Sequence, residues 1–232
     1  MDDFRPTNMT GTHETILFYG SEVNTFAEEL FSVELNNLNN TDFSIYVDDD
    51  KHSIAAANDD LFGGFYFVYA KEDKSYWQEK IFDIDVINKF DLQEVTSEQF
   101  NTQRIEFGIP AFGKEITELI NPLECGLNKY VSFTKGCYIG QEVIARLDTY
   151  DKISKHMVGI SSGVEIPVPL NKGDVKLLFE NKECGFVTSS CNSGKFGHIG
   201  LGFVKTIFLN YDKPYNIIYN GVSKECRITK LP

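Results

Sequence analysis

Between positions 135 and 142 the sequence reads Lys135-Gly136-Cys137-Tyr138-Ile139-Gly140-Gln141-Glu142, a thiol set between two glycines and beside a lysine. Ile139, Val143, Ile144 and Leu147 follow at the spacing of one helix face, which predicts an amphipathic helix from Gly140 to Leu147. A cysteine at a helix N-terminus feels the positive end of the backbone dipole, and Lys135 adds a cation. Both favour the thiolate, the reactive and metal-binding form. The glycines let backbone approach a ligand closely or turn with positive φ. Gln141 and Glu142 also suit an ordinary first helical turn, where a carboxylate complements the dipole. The same segment fits equally well a tight turn around a small buried thiol.

Arg104 and Glu124 are the other chemically suggestive positions. Thr96 or Ser97 can cap a helix running to Phe107, ended by Gly108 with Pro110 beyond. Phe100, Arg104 and Phe107 then share a face, which sets a guanidinium beside apolar neighbours. A buried arginine needs an anionic partner, and Glu124 is a candidate. The alternative is an arginine lying along the surface with its stem packed. Three aspartates at 48–50 lack the alternating acids, central glycine and terminal glutamate of a calcium loop, so no metal site is expected. The five cysteines (125, 137, 184, 191 and 226) are odd in number and form no C-x-x-C pair, which argues for reduced thiols.

These residues need elements to position them, and the composition supplies the material. Of the 232 residues 42% are hydrophobic, with 19 Phe and 11 Tyr, which excludes a disordered chain. No apolar run approaches the ~20 residues that span a bilayer. The start, Met1-Asp-Asp-Phe-Arg5, lacks the pattern of a secretory or transit peptide, and a bacterial cytoplasmic location is expected. Net charge is −12, divided as −16 over residues 1–120 and +4 over residues 121–232. The acidic half repels nucleic acid and anionic membranes, so neither is expected as a partner. The mildly basic half could host an anionic ligand.

The first 110 residues read as α+β. Thr15–Tyr19 suits a strand, and Ser21 can cap a helix with Val23, Phe26, Ala27 and Leu30 on one face. Phe43, Ile45 and Val47 alternate as in a half-buried strand, residues 48–51 and 58–60 look like turns, and Phe65–Tyr69 reads as a strand. This order suggests a sheet with helices on one side. Beyond about residue 155 come short strands at 156–160, 175–179, 184–187, 199–204 and 215–219, followed by Asn220-Gly221, a type I′ hairpin signal. They suggest a small antiparallel barrel, with a boundary between Tyr150 and His156.

Lys-Gly-Cys-Tyr-x-Gly-Gln-Glu resembles the signature of the YgfZ-type folate-binding proteins, relatives of the glycine-cleavage T-protein, an aminomethyltransferase. Further motifs agree in order: Arg104-x-x-x-Gly108-Ile109-Pro110-x-x-Gly113-x-Glu115, Pro122-Leu-Glu124-x-Gly126-Leu127, Glu183-Cys-Gly185-Phe-Val-Thr188-Ser189 and Gly200-Leu-Gly202-Phe-Val-Lys205. The resemblance covers residues 104–205 and fades before residue 95. It implies an α+β fold with a folate-binding, aminomethyltransferase-like core over 1–153, short at its N-terminus, and a β-barrel over 154–232. It implies tetrahydrofolate or a derivative as cofactor, Glu124 as a pterin ligand and Arg104 in or beside the same pocket. Lys135, Tyr138, Gln141 and Glu142 would complete the binding loop, with Cys137 as the chemically active group. The T-protein tends to carry Asp where this chain has Cys137. The implied role is therefore a folate-binding accessory factor for assembly or repair of iron–sulfur enzymes, with iron–sulfur proteins or cluster carriers as partners. The alternative is a tetrahydrofolate-dependent aminomethyl- or one-carbon transferase.

Overall fold

The computed structural model describes residues 8–32, 43–48, 52–59, 61–133, 136, 140–142, 144–145 and 153–231. The chain forms two compact units, residues 1–94 and 95–232.

In the first unit, strands β1 (His13–Phe18), β2 (Phe43–Asp48), β3 (His52–Asp59) and β4 (Gly64–Ala70) form an antiparallel sheet in the order β1-β4-β3-β2. Helices α1 (Val23–Phe31), α2 (Lys74–Ile81) and α3 (Ile84–Phe90) contribute to one core with the sheet. That core is aromatic: Phe26, Phe31, Phe65, Phe67, Tyr69 and Trp77 are all but fully buried. Phe31 and Phe67 meet with ring centroids 4.7 Å apart, inside the range of favourable aromatic pairs. The anticipated strand, helix and two strands are present. Ser21 is not the cap of α1: Glu22 occupies that position and makes no side-chain capping bond. Strand β3 has no counterpart in the sequence pattern, and it takes up Asn58 and Asp59, a pair expected to form a turn. Buried Asp59 accepts a hydrogen bond from the Phe62 amide at 2.7 Å and so shapes the turn into β4.

The second unit opens with α4 (Ser97–Glu106), whose start is a full capping box between Thr96 and Gln99. Its buried pair is Arg104 and Ile105, whereas Phe100 and Phe107 are 38% and 52% exposed. The expected grouping of Arg104 with those two phenylalanines is therefore corrected. The helix ends at Gly108, which takes φ of 72°. Strands β5 (Lys155–Ser162), β6 (Lys176–Phe179), β7 (Lys182–Ser193), β8 (Gly197–Lys205), β9 (Tyr215–Tyr219) and β10 (Val222–Thr229) close into a six-stranded antiparallel barrel. Asn220 and Gly221 both have positive φ, as a type I′ turn demands. Strands β7 and β8 lie so close that a Cβ at Gly185 would sit 2.0 Å from the Phe203 carbonyl oxygen.

The barrel interior is filled by Val158, Ile160, Val175, Leu177, Val187, Val204, Tyr215 and their neighbours. Met157 and Phe203 alternate with inward residues and so face out. There they pack with Ile120 and Cys125, which fastens the stretch after α4 onto the barrel wall. Among the described residues, no helix is long and apolar enough to cross a membrane.

Candidate functional site

Two carboxylates, nine positions apart, are pinned to the barrel wall within the second unit. Glu115 lies in the turn between Phe112 and Ile116, and its side chain is fully buried. Opposite it, a bulge between Val187 and Ser189 interrupts the pairing of β7 with β8. In a regular strand Thr188 and Ser189 would point to opposite faces; at the bulge both reach the same acid. Glu115 Oε1 accepts from Thr188 Oγ1 at 2.5 Å and Ser189 Oγ at 2.7 Å. Its Oε2 accepts from Arg104 Nη1 at 3.1 Å and the Ala111 amide at 3.0 Å. Arg104 also donates to Ser189 Oγ, to Asn101 Oδ1 and to the Ile109 carbonyl. The buried arginine thus has its anionic partner, and that partner is Glu115 rather than Glu124.

Glu124 sits in the 3-10 turn Pro122–Cys125, where it closes a capping box with Asn121. Its Oε2 accepts from the Asn121 amide at 3.1 Å and from Lys155 Nζ at 2.6 Å; its Oε1 accepts from Ser154 Oγ at 2.7 Å. Burial pushes the carboxyl pKa upward, but the hydrogen bonds from Lys155, Ser154 and Asn121 outweigh it and hold the group below the ordinary value. Glu124 is therefore an anion at neutral pH, with its side chain 8% exposed against 18% for Lys155. Cys125, next along, donates to the Glu115 carbonyl. Burial, then the charges of Glu115 and Glu124, push its thiol up to about 12, so it stays protonated and unreactive.

Of the residues expected at the site, Lys135, Cys137 and Tyr138 lie outside the described residues. Gln141 is half-buried and Glu142 exposed, both in helical backbone that begins at Gly140, whose φ is 91°. Among the described residues, no hydrogen bond joins Gln141 or Glu142 to Arg104 or Glu124, and none joins Arg104 to Glu124. Sequence reasoning missed Ser154 and Lys155 altogether. It had Glu115, Thr188 and Ser189 within its motifs but assigned them no contact.

A pterin's guanidine-like edge presents two parallel N–H donors and needs a vacant lone pair on each carboxylate oxygen. A carboxylate offers about four acceptor positions. On Glu124 the described neighbours fill both positions of Oε2 and one of Oε1. As arranged here, the acid does not accept a two-donor edge.

The fold resembles that of an aminomethyltransferase T. The solved structure of the glycine cleavage system aminomethyltransferase T from Bartonella henselae superposes with a TM-score of 0.53 at 14% identity, covering 95% of this chain and 83% of that one. In sequence the chain is distantly related to aminomethyltransferases. It is 28% identical over 133 residues to that of Moorella thermoacetica, and 40% identical over 104 residues to a chloroplastic protein of Arabidopsis thaliana described as a candidate transferase. The matches span 57% and 44% of this chain but only 35% and 23% of those proteins, so the chain covers about a third or less of the length of either relative. No protein-family model matches the chain.

Proposed function

We propose that this protein binds a reduced folate, tetrahydrofolate or a derivative, and supports the assembly or repair of iron–sulfur enzymes through its Cys137 loop. The observation that carries the folate part is the fold shared with an aminomethyltransferase T along nearly the whole chain. Relatives named aminomethyltransferases add to it. In this reading Glu124 is the pterin ligand and Arg104 stiffens the wall beside it, while Lys135, Tyr138, Gln141 and Glu142 shape the loop.

The iron–sulfur part rests on the thiol at position 137, where the T-protein tends to carry an acid. One cysteine cannot hold a cluster, since the common clusters take four protein ligands. Cys137 would then act as a transient ligand or redox group toward a cluster on a partner protein. A second reading, tetrahydrofolate-dependent aminomethyl transfer, is favoured by the names of the relatives.

Replacement of Cys137 by Ser in cells that depend on the protein separates the two. The expected outcome is lower activity of cluster-containing enzymes with folate binding by the purified variant unchanged. Full activity of those enzymes in the variant would overturn the accessory role. Turnover of an aminomethyl donor by the purified wild-type protein would establish the second reading.

A further inference from the structure

We propose that Lys155 is the gate of the Glu124 site: its ammonium holds the acceptor position that a two-donor ligand edge must take, and it withdraws when that ligand binds. The inference rests on the reading of Glu124 as the folate ligand and deepens it. Of the three groups on Glu124, the Asn121 amide is backbone, locked in a capping box. Ser154 Oγ holds Oε1, which among the described residues retains one position, enough for one of the two incoming donors. The other donor needs a place on Oε2, and only one of its two occupants can leave without unwinding the turn. That occupant is Lys155, a compact charge at the end of a flexible four-carbon stem.

Lys155 is also placed to move. It is the first residue of β5, and its ammonium lies 5.9 Å from the Phe203 ring centroid on the outer barrel wall. A flexible four-carbon stem at the start of a strand can swing its charged head from the carboxylate toward water. The gate also screens ligands. A neutral planar edge with two N–H groups gains both oxygens of a buried anion. A ligand with one donor gains only what Oε1 already offers and leaves Lys155 in place.

The test is calorimetric titration of tetrahydrofolate into the wild type, Lys155→Met, Lys155→Arg and Glu124→Gln, each first shown to be folded by circular dichroism. Lys155→Met keeps the stem and removes the competing donor, so binding should tighten about tenfold, the worth of one charged hydrogen bond. Lys155→Arg offers a guanidinium that grips a carboxylate with two bonds, so binding should weaken or vanish. Opposite effects of Met and Arg at one position are not what a purely structural lysine produces. Binding by Lys155→Met alone would overturn the gate, since the wild-type lysine would then not withdraw for the ligand, and would leave Glu124 as the folate site. If the wild type binds and Lys155→Met binds no more tightly, the gate is overturned and the folate reading stands. If none of the folded proteins binds, both are overturned.

Discussion

Glu115 and Glu124 are anchored to the same barrel wall, yet they are built for different purposes. Among the described residues Glu115 has four donors for its four acceptor positions, and each donor is tied to something else: a bulged strand, a turn amide, an arginine with three further bonds. Glu124, among the described residues, has three donors, and one of them is the end of a lysine chain. A buried charge with every contact fixed specifies structure and has nothing to offer a ligand. A buried charge with one open position and one movable partner can exchange. Electrostatic cost explains the difference in construction. A fully buried ion is tolerated only when completely satisfied, whereas a side chain at the edge can leave part of its solvation to water.

Removing Glu115 should break the molecule hardest. Glu115→Ala leaves Arg104 buried without its anion and should cost about 3–5 kcal/mol, read from chemical denaturation of the second unit. Arg104→Met with Glu115→Gln should cost less than the two single changes added together, because the pair is coupled. Thr188→Val removes one of four donors from Glu115 and should cost about 1–3 kcal/mol in the same assay. Glu124→Gln should cost only about 1 kcal/mol, since its cation is partly solvated. If Glu124→Gln proved as damaging as Glu115→Ala, the division between a structural and an exchangeable acid would fail.

Acidity sharpens the comparison further. The folded pKa of Glu124 lies below its ordinary value of 4.5, so its stabilisation is complete above that value and drains away as pH falls through the folded pKa. The stability difference between wild type and Glu124→Gln should therefore be constant at neutral pH and shrink as pH falls below 4.5. Thiol labelling gives the smallest effect. Burial pushes Cys125 and Cys226 up to about 12 and Cys184 to about 11, so iodoacetamide at pH 8 should leave all three unmodified until the protein unfolds, by mass spectrometry.

Local patterns in the sequence announced much of the barrel and little of what lies against it. The Asn220-Gly221 turn and the alternating strands are encoded by neighbours in the chain, and β9 falls where its pattern put it. Strand β3, with the run Ala55-Ala-Ala57 at its centre, carries little strand propensity beyond Ile54 and owes its place to pairing with β2 and β4. The partner of Arg104 was open to guesswork because ion pairing depends on tertiary position. Glu115 and Glu124 lie 11 and 20 positions away, and only the folded turn selects between them. The β7 bulge leaves no mark in composition, so the convergence of Thr188 and Ser189 on one oxygen was invisible. Lys155 was equally hidden, because a lysine opening a strand reads as a solvated end.

The exchangeable role of Glu124 is open to one decisive measurement, the melting temperature of wild type and Glu124→Gln with and without saturating tetrahydrofolate. A ligand that binds only the folded state raises the melting temperature in proportion to its occupancy. The melting temperature should rise for the wild type and stay unchanged for Glu124→Gln. An equal rise in both proteins, or none in either, would contradict that role.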